Sequence, residues 1–180
     1  MWRRILLAAA GCIFASAAAS DPAPNLTRKN LPAPTEIEGW PCDKGYVWYN
    51  PDGHLRSCEL SHACAFGEAH VPTGSHIYLT SDGKPEFVFL RSDTRILGLL
   101  CRGHGHDYST AFYPSGKLKT CWLAGDQEVQ GTPCMGAGFF ADIFGGGVGV
   151  HFHENGKLRT CKLSRNFGPQ RRGEHFVQGP

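Results

Sequence analysis

The chain has 180 residues, of which 41% are hydrophobic and 19% charged, with 23 glycines, 12 prolines and eight cysteines. Its formal net charge is only +2, and Arg3 and Arg4 at the N-terminus account for that surplus. The remainder therefore lacks the basic excess with which proteins neutralise nucleic-acid phosphates or anionic membranes, and it has no later apolar run of the roughly 20 residues that cross a bilayer as a helix.

Residues 1–19 read as a secretory signal peptide: Arg3 and Arg4, an apolar stretch from Ile5 to Ala15, then the small residues Ala17, Ala18 and Ala19 ahead of the expected cut. The apolar stretch is too short for a membrane anchor. A lipid anchor on Cys12 is the lesser alternative, because Ala9-Ala10-Gly11-Cys12 has the outline of a bacterial lipobox. Residues 20–39, with Pro22, Pro24, Pro32 and Pro34, are expected to form a disordered spacer. Residues 40–180 are then one secreted or periplasmic domain.

Four hairpins follow in order. Each has strand-forming residues, a turn ending in glycine and a second strand-like run, with the turns at residues 50–53, 80–83, 113–116 and 153–156. The glycines Gly53, Gly83, Gly116 and Gly156 lie 30, 33 and 40 positions apart, a spacing typical of repeat architectures. Pro51 and Pro114 preset the bend, Asp52, Asp82, Ser115 or Asn155 continues it, and glycine accepts the left-handed backbone that closes a bulged hairpin. Segments between hairpins, such as residues 93–98 and 126–131, predict about three strands per repeat, and residues 173–179 predict a last one. The expected fold is all-β: repeated antiparallel hairpins in a meander sheet or partly closed barrel, held by disulfides.

Seven cysteines follow the leader, and in an exported chain they read as a disulfide framework. Cys58, Cys121 and Cys161 occupy one place in the strand after the turn, where the second unit has Val88. Pairing within units joins Cys42 to Cys58, Cys101 to Cys121 and Cys134 to Cys161 and leaves Cys64 as a free thiol. A rival scheme joins Cys58 to Cys64 and Cys121 to Cys134.

The phrase Tyr113-Pro114-Ser115-Gly116-Lys117-Leu118 and its siblings resemble the turn-and-strand phrase of MORN-like hairpin repeats, including the YwqK-type repeats of bacterial proteins. The resemblance covers the four hairpins and implies a lipid- or protein-binding repeat module, with no catalytic residues to carry over.

The histidines offer the clearest donor chemistry. His104 with His106 and Asp107, and His151 with His153, place imidazoles two residues apart, which in a strand puts both on one face. Such donors suit zinc, copper or nickel. The alternative is that His151 and His153 line the polar face of a strand. The glycine-rich run 135–150 carries Phe139, Phe140, Ile143 and Phe144, which either contact a partner or cap the end of the sheet. The expected function is therefore a non-enzymatic envelope or secreted module that contacts a protein or envelope component. A metal-binding periplasmic protein is the alternative, and a Cys64-dependent enzyme a third reading.

Overall fold

The computed structural model describes residues 25–104, 108–137 and 149–179. The chain is all-β and each unit contains two hairpins of different kinds. The large hairpins are β4 (Gly45–Tyr49) with β5 (Leu55–Glu59), β8 (His76–Leu79) with β9 (Pro85–Phe89), β12 (Ser109–Phe112) with β13 (Leu118–Cys121), and β16 (Val150–Phe152) with β17 (Leu158–Lys162). Together with β1 (Thr27–Leu31) and β18 (His175–Val177) they form one antiparallel sheet in the order β1-β4-β5-β8-β9-β12-β13-β16-β17-β18, open at both ends.

Between the large hairpins lie short two-stranded ones: β2 (Thr35–Ile37) with β3 (Trp40–Cys42), β6 (Cys64–Phe66) with β7 (Ala69–Val71), β10 (Thr94–Ile96) with β11 (Leu99–Cys101), and β14 (Gln127–Val129) with β15 (Thr132–Cys134). The expected third strand at residues 93–98 and 126–131 is thus half of a separate hairpin rather than a member of the main sheet. Residues 173–179 do supply a sheet strand, β18.

The large turns are closed as the glycine phrase predicts. Gly53, Gly83, Gly116 and Gly156 sit at φ of 91°, 75°, 83° and 82°, and each donates its N–H to the carbonyl three residues back, at 2.8–3.0 Å. The strand register then shifts by one residue beside each turn, which is the accompanying bulge. The short hairpins use another closure. Glu38 and Gly39, Leu97 and Gly98, and Gln130 and Gly131 are left-handed in succession, the two-residue turn whose twist matches paired strands.

The expected spacer over residues 20–39 is corrected by the structure from residue 25 onward: Thr27–Leu31 pairs with β4 and Thr35–Ile37 with β3. Pro32 and Pro34 fall in the connection between these strands, where no ladder N–H is required of them.

The short hairpins form a second layer on one face of the sheet, and the core lies between. From the sheet come Val47, Leu55, Ile77, Val88, Leu118, Val150 and Leu158, and from the short hairpins Phe66, Val71, Ile96 and Val129, all essentially inaccessible to solvent. Full burial of such a side chain contributes roughly 1.5–3 kcal/mol. Three disulfides stitch layer to layer, Cys42 to Cys58, Cys101 to Cys121 and Cys134 to Cys161, with Cα atoms 5.6–5.8 Å apart. These are the pairs of the within-unit scheme.

In the second unit the two cystine positions are held by Val71 and Val88, both fully buried. Cys64 does not occupy a bridge position. It opens β6, where the other units have Thr35, Thr94 and Gln127, and it lies opposite Val71 in the short hairpin. The free thiol is real, but the unit that lacks a bridge has lost both half-cystines to valine, not one.

Candidate functional site

The histidines do not converge among the described residues. His104 is exposed at φ 64°, and its N–H donates to the Leu90 carbonyl at 3.2 Å. That is a frame bond of the repeat, since Gly74 and Ala137 make the same bond to Leu60 and Leu123. His106 and Asp107 lie outside the described residues. His151 in β16 is half-buried with Nδ1 3.0 Å from Thr120 Oγ1, while His153 directs Nε2 to the Gln178 carbonyl at 3.0 Å. Burial, then the positive charges of Arg159, His175 and Lys119, hold the His151 pKa below the usual histidine value. No group of three or more His, Cys, Asp or Glu side chains among the described residues is placed to hold a metal. Phe139, Phe140, Ile143 and Phe144 also lie outside the described residues. Cys64 is half-buried, and burial raises its thiol pKa.

The outer face of the second large hairpin carries an aromatic group. Tyr78 stacks on Phe87 at 4.4 Å, and Phe89 meets both rings edge-on at 5.8 and 5.6 Å. Tyr78 and Phe87 are direct cross-strand partners, as are His76 and Phe89. Such pairs add roughly 0.5–1.5 kcal/mol beyond the area they bury. They reinforce the one unit that has no disulfide.

The concave feature arises where a docking contact is missing. In the first unit the turn residue Glu38 reaches the large hairpin, its Oε2 accepting from Leu55 N at 3.1 Å and its Oε1 lying 3.2 Å from His54 Nδ1. In the fourth, Gln130 does the same with both ends of its amide, accepting from Leu158 N at 2.9 Å and donating to Gly156 O at 2.8 Å. The second short hairpin instead contacts, through main chain, the turn of the third large hairpin rather than its own. Glu68 N donates to Gly116 O at 3.0 Å, and a Cβ on Gly67 would sit 2.1 Å from that oxygen.

The third unit has Leu97 at this place. It is left-handed (φ 48°) and 49% exposed, and its side chain can neither accept nor donate a hydrogen bond. A cleft of about 540 Å³ opens here, walled by Leu97, Leu99, Leu118, Val129 and Phe152 and rimmed by Glu68, Lys117 and Glu128. Gln130 and Asn155 complete a lining that mixes polar and apolar groups, and the volume lies in the range of ligand pockets. Sequence reasoning passed over Leu97. The signal was available in the paired phrases Glu38-Gly39, Leu97-Gly98 and Gln130-Gly131, of which only the middle one lacks a polar side chain.

No protein-family model, curated protein or solved structure matches the chain. What the geometry of the described residues defines is a class by construction: an open sheet of tandem hairpins, bridged by disulfides to a layer of short hairpins, with a cleft between the layers' turns beside Leu97.

Proposed function

We propose that the protein is a non-catalytic binding module of an oxidising compartment outside the cytosol, and that the cleft beside Leu97 seats an apolar group of its ligand. The observation that carries this reading is Leu97 itself. Glu38 and Gln130 hold the same left-handed turn position in the first and fourth units and use their polar side chains to dock, which Leu97 cannot do. Leu97 is instead a large apolar side chain left half in solvent at the mouth of the cleft, beside Leu99, Leu118, Val129 and Phe152. The rim, two carboxylates and one ammonium, favours a neutral or cationic polar group next to the apolar one. An exported protein or envelope component presents such chemistry. The export reading draws support from three disulfides, which persist where thiols oxidise, and from the signal-like order of residues 1–19. The MORN-like or YwqK-type character of the hairpin phrases agrees with a repeat that presents a contact surface.

The test is titration with a neutral, environment-sensitive fluorescent hydrocarbon probe. The native protein should bind it saturably, and Leu97→Asn should weaken binding at least tenfold while leaving the melting temperature within a few degrees. Asparagine tolerates the left-handed backbone, so loss of fold does not explain loss of binding. Equal affinity in the variant, or no saturable binding by the native chain, would overturn the assignment.

A further inference from the structure

The two open edges of the sheet are the two halves of one hairpin. β1 occupies the place of a second strand: Leu26-Thr27-Arg28-Lys29-Asn30-Leu31 aligns with Leu118-Lys119-Thr120-Cys121-Trp122-Leu123. Its pairing Arg28↔Trp48 is the pairing Thr120↔His151 made by β13 with the next unit. β18 occupies the place of a first strand. Thr160↔Val177 repeats Ser57↔Tyr78, and Gly173 N donates to Leu163 O as Gly74 N does to Leu60 O. Arg172 N donates to Asn166 Oδ1 as Gly136 N does to Asp126 Oδ1, and the bridge Phe167↔Gln170 is what remains of a short hairpin.

We propose that copies of this chain join head to tail, β18 of one pairing with β1 of the next to complete a fifth large hairpin across the junction. The register follows from the hairpins already formed. Tyr78 faces Phe87, Ile77 faces Val88 and His76 faces Phe89, so Val177 faces Arg28 of the second copy, Phe176 faces Lys29 and His175 faces Asn30. The direction follows too. β1 and β18 are first and tenth in an antiparallel sheet, so they run oppositely and add as an antiparallel pair.

Backbone groups are ready at the edge. Gln178 N donates to Arg159 O and Leu163 N to Glu174 O, and by the alternation of an antiparallel ladder His175 and Val177 turn their N–H and C=O groups outward. Val177 is 70% exposed.

Side chains choose the partner. Lys29 stands at the place filled by Cys58, Val88, Cys121 and Cys161 in other units, and a lysine there blunts an edge against ordinary apolar strands. In the split unit the opposing cystine position is also polar. Gln170 lies opposite Phe167 as Cys134 lies opposite Gln127, so the lysine meets an amide oxygen. In the free chain Gln170 Nε2 donates to the His175 carbonyl at 3.2 Å and caps that edge. The junction uses different surfaces of the two copies and is therefore heterologous, propagating rather than closing as a two-fold dimer.

Sedimentation velocity of the full chain over a wide concentration range tests this, with Val177→Pro and Asn30→Pro each removing one outward N–H. The native chain should form a concentration-dependent series of oligomers, and either variant alone should lose at least tenfold in association. An equimolar mixture of the two variants should stop at a one-to-one pair, because each retains one good edge. Hydrogen exchange on the native chain needs no variant: the His175 and Val177 amides should gain protection on concentration. Three results would each overturn the proposal: a monomer at every concentration, association that Asn30→Pro leaves intact, or a mixture that does not pair.

Discussion

The second unit can be given the bridge it lacks. Val71 and Val88 stand where Cys42 and Cys58, Cys101 and Cys121, and Cys134 and Cys161 stand in the other units, and all eight positions are fully buried. Val71→Cys with Val88→Cys should therefore oxidise without backbone movement. Cys64 must first become Thr, the residue at the same place in the first and third units, because it lies directly opposite Val71 and would compete for the new thiol. Closing a loop of about 17 residues removes denatured-state entropy worth about 3 kcal/mol. Each Val→Cys change exchanges two buried methyls for one sulfur and returns part of that, at about 0.8 kcal/mol per carbon group. The net expectation is about 2 kcal/mol, or roughly 6 °C in melting temperature for a domain of this size. Thiol titration under denaturing conditions should find no free thiol in the oxidised triple variant prepared without residues 1–19, which carry Cys12. Two free thiols, or melting below the Cys64→Thr parent, would refute the equivalence of the second unit with the others.

Gly67→Ala drives a methyl into the Gly116 carbonyl and should lower stability by about 3 kcal/mol in urea denaturation, combining overpacking with left-handed strain. Gly39→Ala, with nothing within 4 Å, should lose only the strain, about 1 kcal/mol. His151 has a folded pKa depressed by burial and by neighbouring cations, so its contribution is full above the unfolded histidine value and is lost as pH falls through the lower folded one. His151→Gln should therefore flatten the decline in stability below about pH 6.5, measured by denaturation at stepped pH. In protein prepared without residues 1–19 and their Cys12, Cys64, with burial holding its proton, should react slowly with iodoacetamide in the native state and fully, as a single site, once denatured.

The large hairpins were legible because a left-handed glycine after a polar bend has one common use, and it recurs at Gly53, Gly83, Gly116 and Gly156. The cystine frame was legible for the same reason of position. The short hairpins were not, because strands of three residues hold no alternation long enough to read. Two of them also contain prolines, Pro41 and Pro133, that look like breakers. Their turns place Glu38, Leu97 and Gln130 in a backbone state usually reserved for glycine, and each is tolerated because the following glycine completes the bend. Proline density likewise hid β1 and β2. Cys64 is legible as the odd thiol, whereas the valine that holds the second unit's upstream cystine position, Val71, carries no signal of its own in the sequence. The odd residue Leu97 was legible in the turn phrases, but the cleft beside it was not, since it forms only when two layers meet.

The three bridges span 16, 20 and 27 residues and none links one unit to another. Each cross-link therefore needs only thiols that lie close together in the chain, and an earlier unit can lock before a later one is made. Misplaced pairings across units are then discouraged by timing as well as by geometry, and the array can mature in the order in which it is synthesised.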